Sequence, residues 1–501
     1  MPVNAGGSLR RDGAVAPSPK AAVVAATSPR KQAIRDAAER RAADADTWRA
    51  YNAYFHEEDE RYQRFLIRPG LRILELGCGT GSLLASLTPS EGVGIDFSPA
   101  MLERARQAHP EFEFINGDIE DLERIETLQG RAFDIILLSD AIGSVDDVQL
   151  TLEQLHVFCT PDTRIIIAHH SGLWAPLLKL AERLGLKAPT PEQNWLSTSE
   201  IASIADLAYF EEVKREWRQL VPKRLLGFGT LINRFVATLP GLRQLCVRNY
   251  VVLRSRCVRR SKQPSISIIV PCRNERRNIE AVVTRTPKMA PEQEIVFIEG
   301  HSKDGTLDEI HRIIAAYPRL DVRVARQDGK GKGDAVRKGF DMAKGQVLMI
   351  LDADLTMPPE DLPKFYNVIA SGKAEFVNGS RLVYPMENQA MRHLNLLANH
   401  LFAKLFTFIL NQRFTDTLCG TKVLAREHYR EIAAHRSYFG NFDPFGDFDL
   451  IFGAAKLNLK SAEIPIRYKA RKYGTTQISR FHHGLLLFRM VAFAWWKLKA
   501  I

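Results

Sequence analysis

Short apolar runs, each ended by polar or glycine residues, recur along two long stretches of the chain. In the first stretch they include LRILEL from Leu71 and FDIILLS from Phe133, and in the second SISIIV from Ser265 and VLMIL from Val347. Polar segments with helical spacing follow most of these runs. Buried strands that alternate with helices are typical of parallel sheets, so the pattern predicts an α/β fold in both stretches.

The length of the chain indicates that this pattern belongs to two folding units. A chain of 501 residues exceeds what one hydrophobic core usually holds, whereas about 250 residues suit one α/β unit. We therefore predict two Rossmann-like domains. The predicted segments are a disordered tail at 1–30, rich in Ala, Pro, Gly and Ser, a first domain at 31–255, a basic linker at 256–264 and a second domain at 265–501.

Cysteine use and net charge narrow the class of protein. The six cysteines form no C-x-x-C pair, which argues against structural zinc and against a disulfide framework and favours a reducing compartment. The net charge is +11, yet no nucleic-acid motif accompanies the basic segments, so we expect no nucleic-acid partner.

Much of the positive charge lies at the junction of the two units. Between Lys214 and Lys262 there are about thirteen Lys or Arg residues and one acid, Glu216, interleaved with aliphatic and aromatic residues. Contact with an anionic membrane and an ordinary solvated face both stay open. The same choice, interfacial helix or core packing, applies to 394–410 and to the C-terminal helix. Neither of these two runs is long and apolar enough to span a bilayer.

The second stretch contains an acidic pair directly after an apolar strand. In VLMILDADLT, Asp352 and Asp354 flank one alanine. Because the strand fixes the backbone of both residues, their carboxylates suit a hard cation such as Mg²⁺ or Mn²⁺ together with the oxygens of a diphosphate. The pair therefore predicts a metal site, although a solvated acidic turn is the common alternative for an isolated Asp-x-Asp.

Other strand ends in this stretch also carry polar residues. SISIIVPCRNE ends at Pro271 and then presents Asn274 and Glu275, and a second strand leads into Glu299. Before the acidic pair, GKGKGDAVRKGF forms a glycine-rich helix entry in which Lys332 is suited to a phosphate. These strand ends predict a nucleotide pocket.

Together these segments resemble the family-2 glycosyltransferases of GT-A fold, and within them the branch that includes dolichyl-phosphate mannose synthase, over roughly 265–479. The resemblance implies nucleotide-sugar contacts for Pro271, Asn274, Glu275, Glu299, Asp352, Ala353 and Arg381, and a metal at Asp352 and Asp354. The turn from Asp416 to Lys422, and Arg471 with Gly474, match later family segments. Gly300, and Thr476 with Gln477, depart from the family pattern.

The resemblance implies an inverting sugar transfer with Asp352, Asp354 and Arg471 as catalytic residues. A hydroxyl acceptor needs a carboxylate base, and GDFDL places Asp447 and Asp449 where the family carries one. A lipid-phosphate acceptor needs no base. A structural role, such as helix capping, is an equally open alternative for both aspartates.

The first stretch contains a glycine-rich strand end. In LRILELGCGTGSLL a strand ends near Glu75, and Gly77, Gly79 and Gly81 then allow a tight turn before a helix. At the expected distance, Asp96 ends the next strand and can accept from two ribose hydroxyls. Asp118 follows in NGDIEDL, where it can face an adenine amine.

These segments resemble the class I S-adenosylmethionine-dependent methyltransferases, over roughly 47–253. The resemblance implies cofactor contacts for Glu75, Gly77, Gly79, Asp96, Asp118 and Ile119. His169 and His170, which follow the strand RIIIA, are candidate bases, but loop hydrogen bonding is the more common role for such a pair.

The two resemblances predict a bifunctional enzyme. It uses S-adenosylmethionine and a divalent metal, and it transfers a sugar from a nucleotide-diphosphate sugar to a polyprenyl-phosphate, another lipid-linked acceptor or a glycan. We expect a cytoplasmic protein with peripheral contact to an anionic membrane. The alternative is a glycosyltransferase acting on a soluble or protein hydroxyl, with the methyltransferase half as a non-catalytic binding module.

Overall fold

The computed structural model describes residues 28–190, 193–258, 263–384, 393–438, 448–469, 471, 473 and 480–501, without the side chains of 393–397 and 480–484. Its elements fall into two groups in chain order. The first group contains α1 (Pro29–Ala42), α2 (Ala45–Tyr51), α3 (Ala53–Leu66), β1 (Arg72–Leu76), α4 (Ser82–Ser86), β2 (Glu91–Asp96), α5 (Pro99–Ala108), β3 (Glu113–Asn116), β4 (Phe133–Ser139), α6 (Val148–Gln154), β5 (Cys159–His170), α7 (Ala175–Arg183), α8 (Thr198–Leu207), β6 (Phe210–Arg218), α9 (Phe228–Leu231) and β7 (Arg248–Ser255).

The second group begins with β8 (Ile266–Cys272), α10 (Ile279–Arg285), β9 (Gln293–Glu299), α11 (Thr306–Ala316), β10 (Asp321–Arg326), α12 (Lys332–Met342) and β11 (Val347–Ile350). It continues with α13 (Leu362–Ala370), β12 (Phe376–Ser380), α14 (His393–Leu410), β13 (Lys422–Ala425), α15 (Arg426–Ala434), α16 (Phe448–Lys456), β14 (Ser461–Pro465) and α17 (Arg480–Leu498).

Each group builds one seven-stranded sheet. The first has the order β3-β2-β1-β4-β5-β7-β6 and the second β10-β9-β8-β11-β13-β12-β14. In each sheet one strand, β7 or β13, runs antiparallel to both neighbours, and the other paired strands are parallel. The carboxyl ends of the parallel strands therefore meet at one edge, where polar strand ends collect. The prediction of two Rossmann-like domains is confirmed.

The strands are apolar because both faces of each sheet are covered by helices. Ile73, Leu74 and Leu76 of β1 are fully buried, as are Leu348, Met349 and Ile350 of β11. Apolar clusters on the two sides of each sheet account for this burial.

The described chain begins at Ser28, whose side chain accepts from the Lys31 amide and caps α1. This helix therefore starts two residues before the predicted boundary of the first domain. Residues 1–27 lie outside the described part, as do 259–262 of the predicted linker.

The two domains share a polar, largely buried interface. Arg164 of β5 donates to both carboxylate oxygens of Glu375 at 2.7 Å, with both side chains less than a tenth exposed. The buried ammonium of Lys499 lies 2.8 Å from Glu216, and Arg218 donates to the Lys499 carbonyl oxygen. Charges removed from water in this way require fixed partners, so these pairs hold the domains in one arrangement.

This interface changes the interpretation of the basic junction. Lys214, Arg218, Arg248 and Arg254 all lie within that junction, yet each is less than a tenth exposed. At least four of the thirteen Lys and Arg residues of the junction are therefore inside the protein rather than displayed on a surface. Among the described residues, no helix is long and apolar enough to cross a membrane.

Candidate functional sites

The acidic pair lies at the carboxyl edge of the second sheet, directly after β11. The Lys332 ammonium is 2.7 Å from one oxygen of Asp352, and the Arg471 guanidinium is 2.6 Å from one oxygen of Asp354. Desolvation by burial would raise the pKa of Asp352, but Lys332 holds that pKa below its ordinary value. The two carboxylates are thus paired with separate cations.

Glu275 joins this group from the end of β8. Its carboxylate lies 3.5 Å from Arg471 and accepts from the Asn278 side chain at 2.7 Å. Burial raises the pKa of Glu275 to about 7, although Arg471 opposes the shift. Arg471 therefore links two strand ends by pairing with both Asp354 and Glu275.

The remaining nucleotide-sugar candidates lie around the same edge. Asn274 has a positive φ of 57° and accepts from the Lys303 amide at 2.9 Å, which ties the turns after β8 and β9 together. Glu299 is buried at the end of β9, and Pro271 pairs with Ile298 across the sheet. Ala353 is buried between the two aspartates.

Arg381 follows β12 and is fixed by a two-point contact. Its guanidinium donates to both oxygens of Asp416 at 2.6 and 2.9 Å, and Asn399 donates to the same carboxylate. Desolvation opposes the charged form, but Asp416 raises the pKa of Arg381. Because Asp416 is fully buried and holds Arg381 at two points, the Arg381 side chain has a fixed position at this edge of the sheet.

Asp449 is paired with two arginines of other elements. It belongs to α16, is buried, and pairs with Arg337 at 2.6 Å and Arg436 at 3.5 Å. Asp447, Gly474, Thr476 and Gln477 lie outside the described residues.

Gly420 is a site residue that the sequence alone did not single out. A side chain there would place its Cβ 2.0 Å from an oxygen of Asp352 and 2.4 Å from the Lys332 nitrogen. The turn between Asp416 and Lys422 therefore approaches the acidic pair through bare backbone. The glycine in DTLCGTK is the one sequence feature that could have indicated this approach, but Asp352 and Lys332, which it contacts, are distant in sequence.

The donor set at this edge fits a divalent cation and a diphosphate. Asp352 and Asp354 offer the hard carboxylate oxygens that Mg²⁺ or Mn²⁺ prefers, on backbone fixed by β11. Lys332 and Arg471 provide the positive charge that phosphate oxygens require.

The second candidate site lies at the carboxyl edge of the first sheet. Gly77, Gly79 and Gly81 have φ values of 76°, 53° and 72°, a region that favours glycine. The Gly79 amide donates to Asp96 at 2.9 Å, and the Ser98 amide donates to the other oxygen of Asp96. The glycine turn and the end of β2 thus form one unit.

Two features of this edge fit a bound nucleoside. Glu75 is buried, and its Oε2 atom has no hydrogen-bond partner among the described residues. Burial raises the pKa of Glu75 to about 8 and also raises that of Asp96. A Cβ at Gly79 would meet open space, so the turn leaves room for a ligand. Polar ribose hydroxyls would satisfy these carboxylates.

Helix α1 covers part of this edge. The Lys31 ammonium pairs with Asp118 at 2.5 Å and Glu120 at 2.7 Å, and Ile119 is partly buried between them. Sequence reasoning did not identify Lys31, because no motif surrounds it. Its contact with Asp118 arises only when α1 folds back over the loop after β3.

A network of charges also lies beside the ends of β4 and β5. Asp140 accepts from Arg248 and pairs with His170 at 2.9 Å, and Arg248 also binds Asp59. Burial opposes ionisation, but Arg248 and His170 lower the pKa of Asp140. His169 is buried, its Nδ1 atom lies 3.1 Å from the His170 carbonyl oxygen, and burial lowers its pKa to about 4.

Comparison with known proteins agrees with the two sheets. Residues 267–433 match the family model of glycosyl transferase family 2, and residues 67–217 match a methyltransferase domain model. The chain is thus a fusion of a class I methyltransferase domain with a family-2 glycosyltransferase domain, as the two resemblances predicted.

Individual relatives cover parts of the chain. A dolichol-phosphate mannosyltransferase of Saccharomyces cerevisiae is 40% identical over 106 residues, 20% of this chain and 39% of that protein. A dolichyl-phosphate hexose transferase of Haloferax volcanii is 28% identical over 44% of this chain and 89% of its own length. The solved structure of a possible histamine N-methyltransferase from Thermotoga maritima is 19% identical, covers 44% of this chain and 98% of its own, and has a TM-score of 0.35.

Proposed function

We propose that the second domain transfers a sugar from a nucleoside-diphosphate sugar to a polyprenyl phosphate or related lipid-linked acceptor, in a metal-dependent, inverting reaction. One observation carries this proposal: Asp352 and Asp354 stand at one strand end, each paired with a cation, Lys332 or Arg471. The names of the yeast and Haloferax relatives support a lipid-phosphate acceptor.

The residues present suggest how charge is handled in this reaction. A cation bound by Asp352 and Asp354 would neutralise the diphosphate as it departs from the sugar. Lys332 and Arg471 lie beside those carboxylates, where they can exchange carboxylate oxygens for phosphate oxygens and stabilise the same charge. Arg381, fixed by Asp416, contributes positive charge without moving.

The contacts of Asp449 favour a phosphate acceptor over a hydroxyl. A hydroxyl must lose its proton to a base, whereas a phosphate monoester is already anionic. Asp449 is buried against Arg337 and Arg436, an environment that holds it as an ion-pair partner. We therefore assign it a structural role, and Asp447 remains the base candidate for the hydroxyl alternative.

We further propose that the first domain binds S-adenosylmethionine through Glu75, the turn from Gly77 to Gly81, and Asp96, and methylates a compound of the same pathway. The cofactor would supply the methyl group. The chain itself would orient the acceptor beside Asp140 and His170, the paired acid and imidazole at the ends of β4 and β5.

One contact bears on the alternative of a non-catalytic binding module, because it occupies an acid that the cofactor would need. Lys31 pairs with Asp118, the acid that the family resemblance assigns to the adenine amine. Calorimetric binding of S-adenosylmethionine without methyl transfer to any lipid or glycan fraction would support that alternative.

Since both cosubstrates, the nucleotide sugar and S-adenosylmethionine, are cytoplasmic, we place the protein in the cytoplasm, peripherally on the membrane that carries its lipid acceptor.

The experiment that tests the sugar transfer measures nucleoside diphosphate release. The full chain is incubated with UDP- or GDP-sugars, Mn²⁺ or Mg²⁺, and detergent-dispersed polyprenyl phosphate. We expect release that needs both metal and lipid, and a fall of at least about a hundredfold in Asp354→Ala, since one metal ligand is lost.

The matched control is Asp321→Ala, which removes an exposed carboxylate at the start of β10 and should leave the rate unchanged. Metal-dependent release that survives in Asp354→Ala would refute the assignment of the acidic pair. Release with soluble hydroxyl acceptors, but not with the lipid phosphate, would refute the acceptor class.

A further inference from the structure

Helix α7 of the methyltransferase domain displays an apolar stripe to solvent. Leu173, Leu177, Leu180 and Leu184 are spaced by four, three and four residues, which places them on one side of the helix and its flanking turns. They are 65, 54, 49 and 64% exposed, and no residue of α7 is buried. A helix within an ordinary core would turn such a stripe inward.

A second exposed apolar segment ends in contact with the turn before α7. Leu226 is fully exposed, Leu225, Phe228 and Leu231 are each more than half exposed, and further exposed leucines follow up to Leu245. The Trp174 indole donates to the Leu245 carbonyl oxygen at 2.7 Å, so the two segments are neighbours. We call the exposed apolar side chains of 173–184 and 225–245 the leucine face.

The leucine face continues onto the glycosyltransferase domain. The Phe235 ring lies 5.7 and 6.0 Å from the rings of Trp495 and Trp496 in α17, and Arg234 donates to the Ala500 carbonyl oxygen. Trp496 is half exposed, as is Phe488 on the same helix. One apolar surface therefore spans both domains.

Most charged residues within the two segments of this face are basic. Residues 225–245 contain Arg234 and Arg243 and no acid, and α7 carries Lys179 and Arg183 with one acid, Glu182. A second copy of the chain would bring these like charges together across a symmetric contact, which is unfavourable. An anionic surface would match them.

We propose that the leucine face lies in the interfacial region of an anionic phospholipid bilayer, so that the methyltransferase domain itself anchors the enzyme. Leucine and phenylalanine side chains enter the boundary between head groups and acyl chains, while the exposed Lys179 and Arg183 of α7 contact phosphates. Juxtaposed leucines and basic residues are the composition that such binding requires.

This placement also indicates the class of methyl acceptor, an inference that rests on the proposed methyl transfer. The leucine face begins directly after β5, at whose end His170 pairs with Asp140. The Ser171 amide donates to the Val247 carbonyl oxygen, which joins the face to the same sheet edge. The acceptor is therefore an amphiphile held at the bilayer surface.

The test is flotation of the full chain with vesicles of phosphatidylcholine, alone or mixed with phosphatidylglycerol. We expect binding to the anionic vesicles, and a loss of at least about tenfold in the double variant Leu226→Glu, Phe228→Glu, because two inserted side chains become charged. Both positions are exposed, so the fold should be unaffected. Leu320→Glu, an exposed leucine in the turn before β10, is the matched control and should bind normally.

Three outcomes would overturn the proposal: no vesicle binding by the unaltered chain, equal binding by the double variant, or a dimer in light scattering that the double variant abolishes. An assay with detergent-dispersed lipid distinguishes a loss of membrane binding from a loss of sugar transfer. In that assay the double variant should release nucleoside diphosphate at the normal rate. If the proposed sugar transfer is wrong, neither the unaltered chain nor any variant will release nucleoside diphosphate.

Discussion

Single residues carry the chemistry of both sites, and they do so by combining burial with fixed charge. Asp352 and Asp354 are each held by a cation, while for Glu75 the effect of burial outweighs the opposing charge of Arg49. The Asp352 carboxyl, whose pKa Lys332 holds down, is therefore kept ionised, whereas the Glu75 carboxyl favours its protonated form. The difference follows from the partners, not from the strand ends themselves.

Glu75 makes stability depend on pH. Burial raises its pKa from 4.5 to about 8, so between these values the folded protein holds a proton that the unfolded chain has lost. Stability from this group is complete below pH 4.5 and is lost as the pH rises towards 8.

We therefore expect Glu75→Gln, which stays neutral, to gain stability relative to the unaltered chain by several kcal/mol as the pH rises from 5 to 8. Urea unfolding of both proteins across this range measures the difference. A constant difference between the two across the range would contradict a buried, protonated Glu75.

At the scale of elements, turns bring distant residues to the strand ends. The turn that contains Gly420 reaches the acidic pair through backbone alone, because a side chain would overlap Asp352 and Lys332. The three glycines after β1 serve the first domain in a similar way, since their positive φ values allow the tight turn beside Asp96.

Gly420→Ala should disrupt the pairing of Asp352 with Lys332 and lower the rate of nucleoside diphosphate release by at least about tenfold, a barrier change of about 1.4 kcal/mol. The rate and the metal concentration for half activity are measured together. Gly372→Ala, at a positive φ outside the site, controls for general destabilisation. Unchanged kinetics in Gly420→Ala would contradict the close approach of this turn.

At the scale of the whole molecule, the domain interface makes two enzyme domains one body. Lys499, close to the end of the described chain, is fully buried against Glu216 and Asn411. The interface therefore joins the last helix of the second domain to an edge strand of the first.

Lys499→Met should lower the free energy of unfolding by about 3 kcal/mol, because it leaves the Glu216 carboxylate buried with a weaker partner, Arg218 at 3.8 Å. Denaturant unfolding measures the change, and the double variant with Glu216→Gln should recover part of the loss. Lys364→Met removes a surface pair and should cost less than about 0.5 kcal/mol. Equal effects from both lysines would contradict a buried interface.

The sequence by itself determined the local parts of this protein. Apolar runs predicted the strands, and the residues directly after them, such as Asp352, Glu275 and Asp96, were identified because a strand end fixes its own neighbours. The glycine turn and the family resemblances were equally local. Both domains and most of the candidate site residues could therefore be predicted from the sequence alone.

Only the tertiary structure decided which distant residues meet. The pairing of Lys31 with Asp118, the approach of Gly420 to Asp352, and the burial of Arg248 and Lys499 all join residues from separate elements. Composition suggested that the basic junction was a surface, but packing buried Lys214, Arg218, Arg248 and Arg254 and left the leucines on and beside α7 exposed. Burial depends on how elements pack together, and no local pattern of residues contains that information.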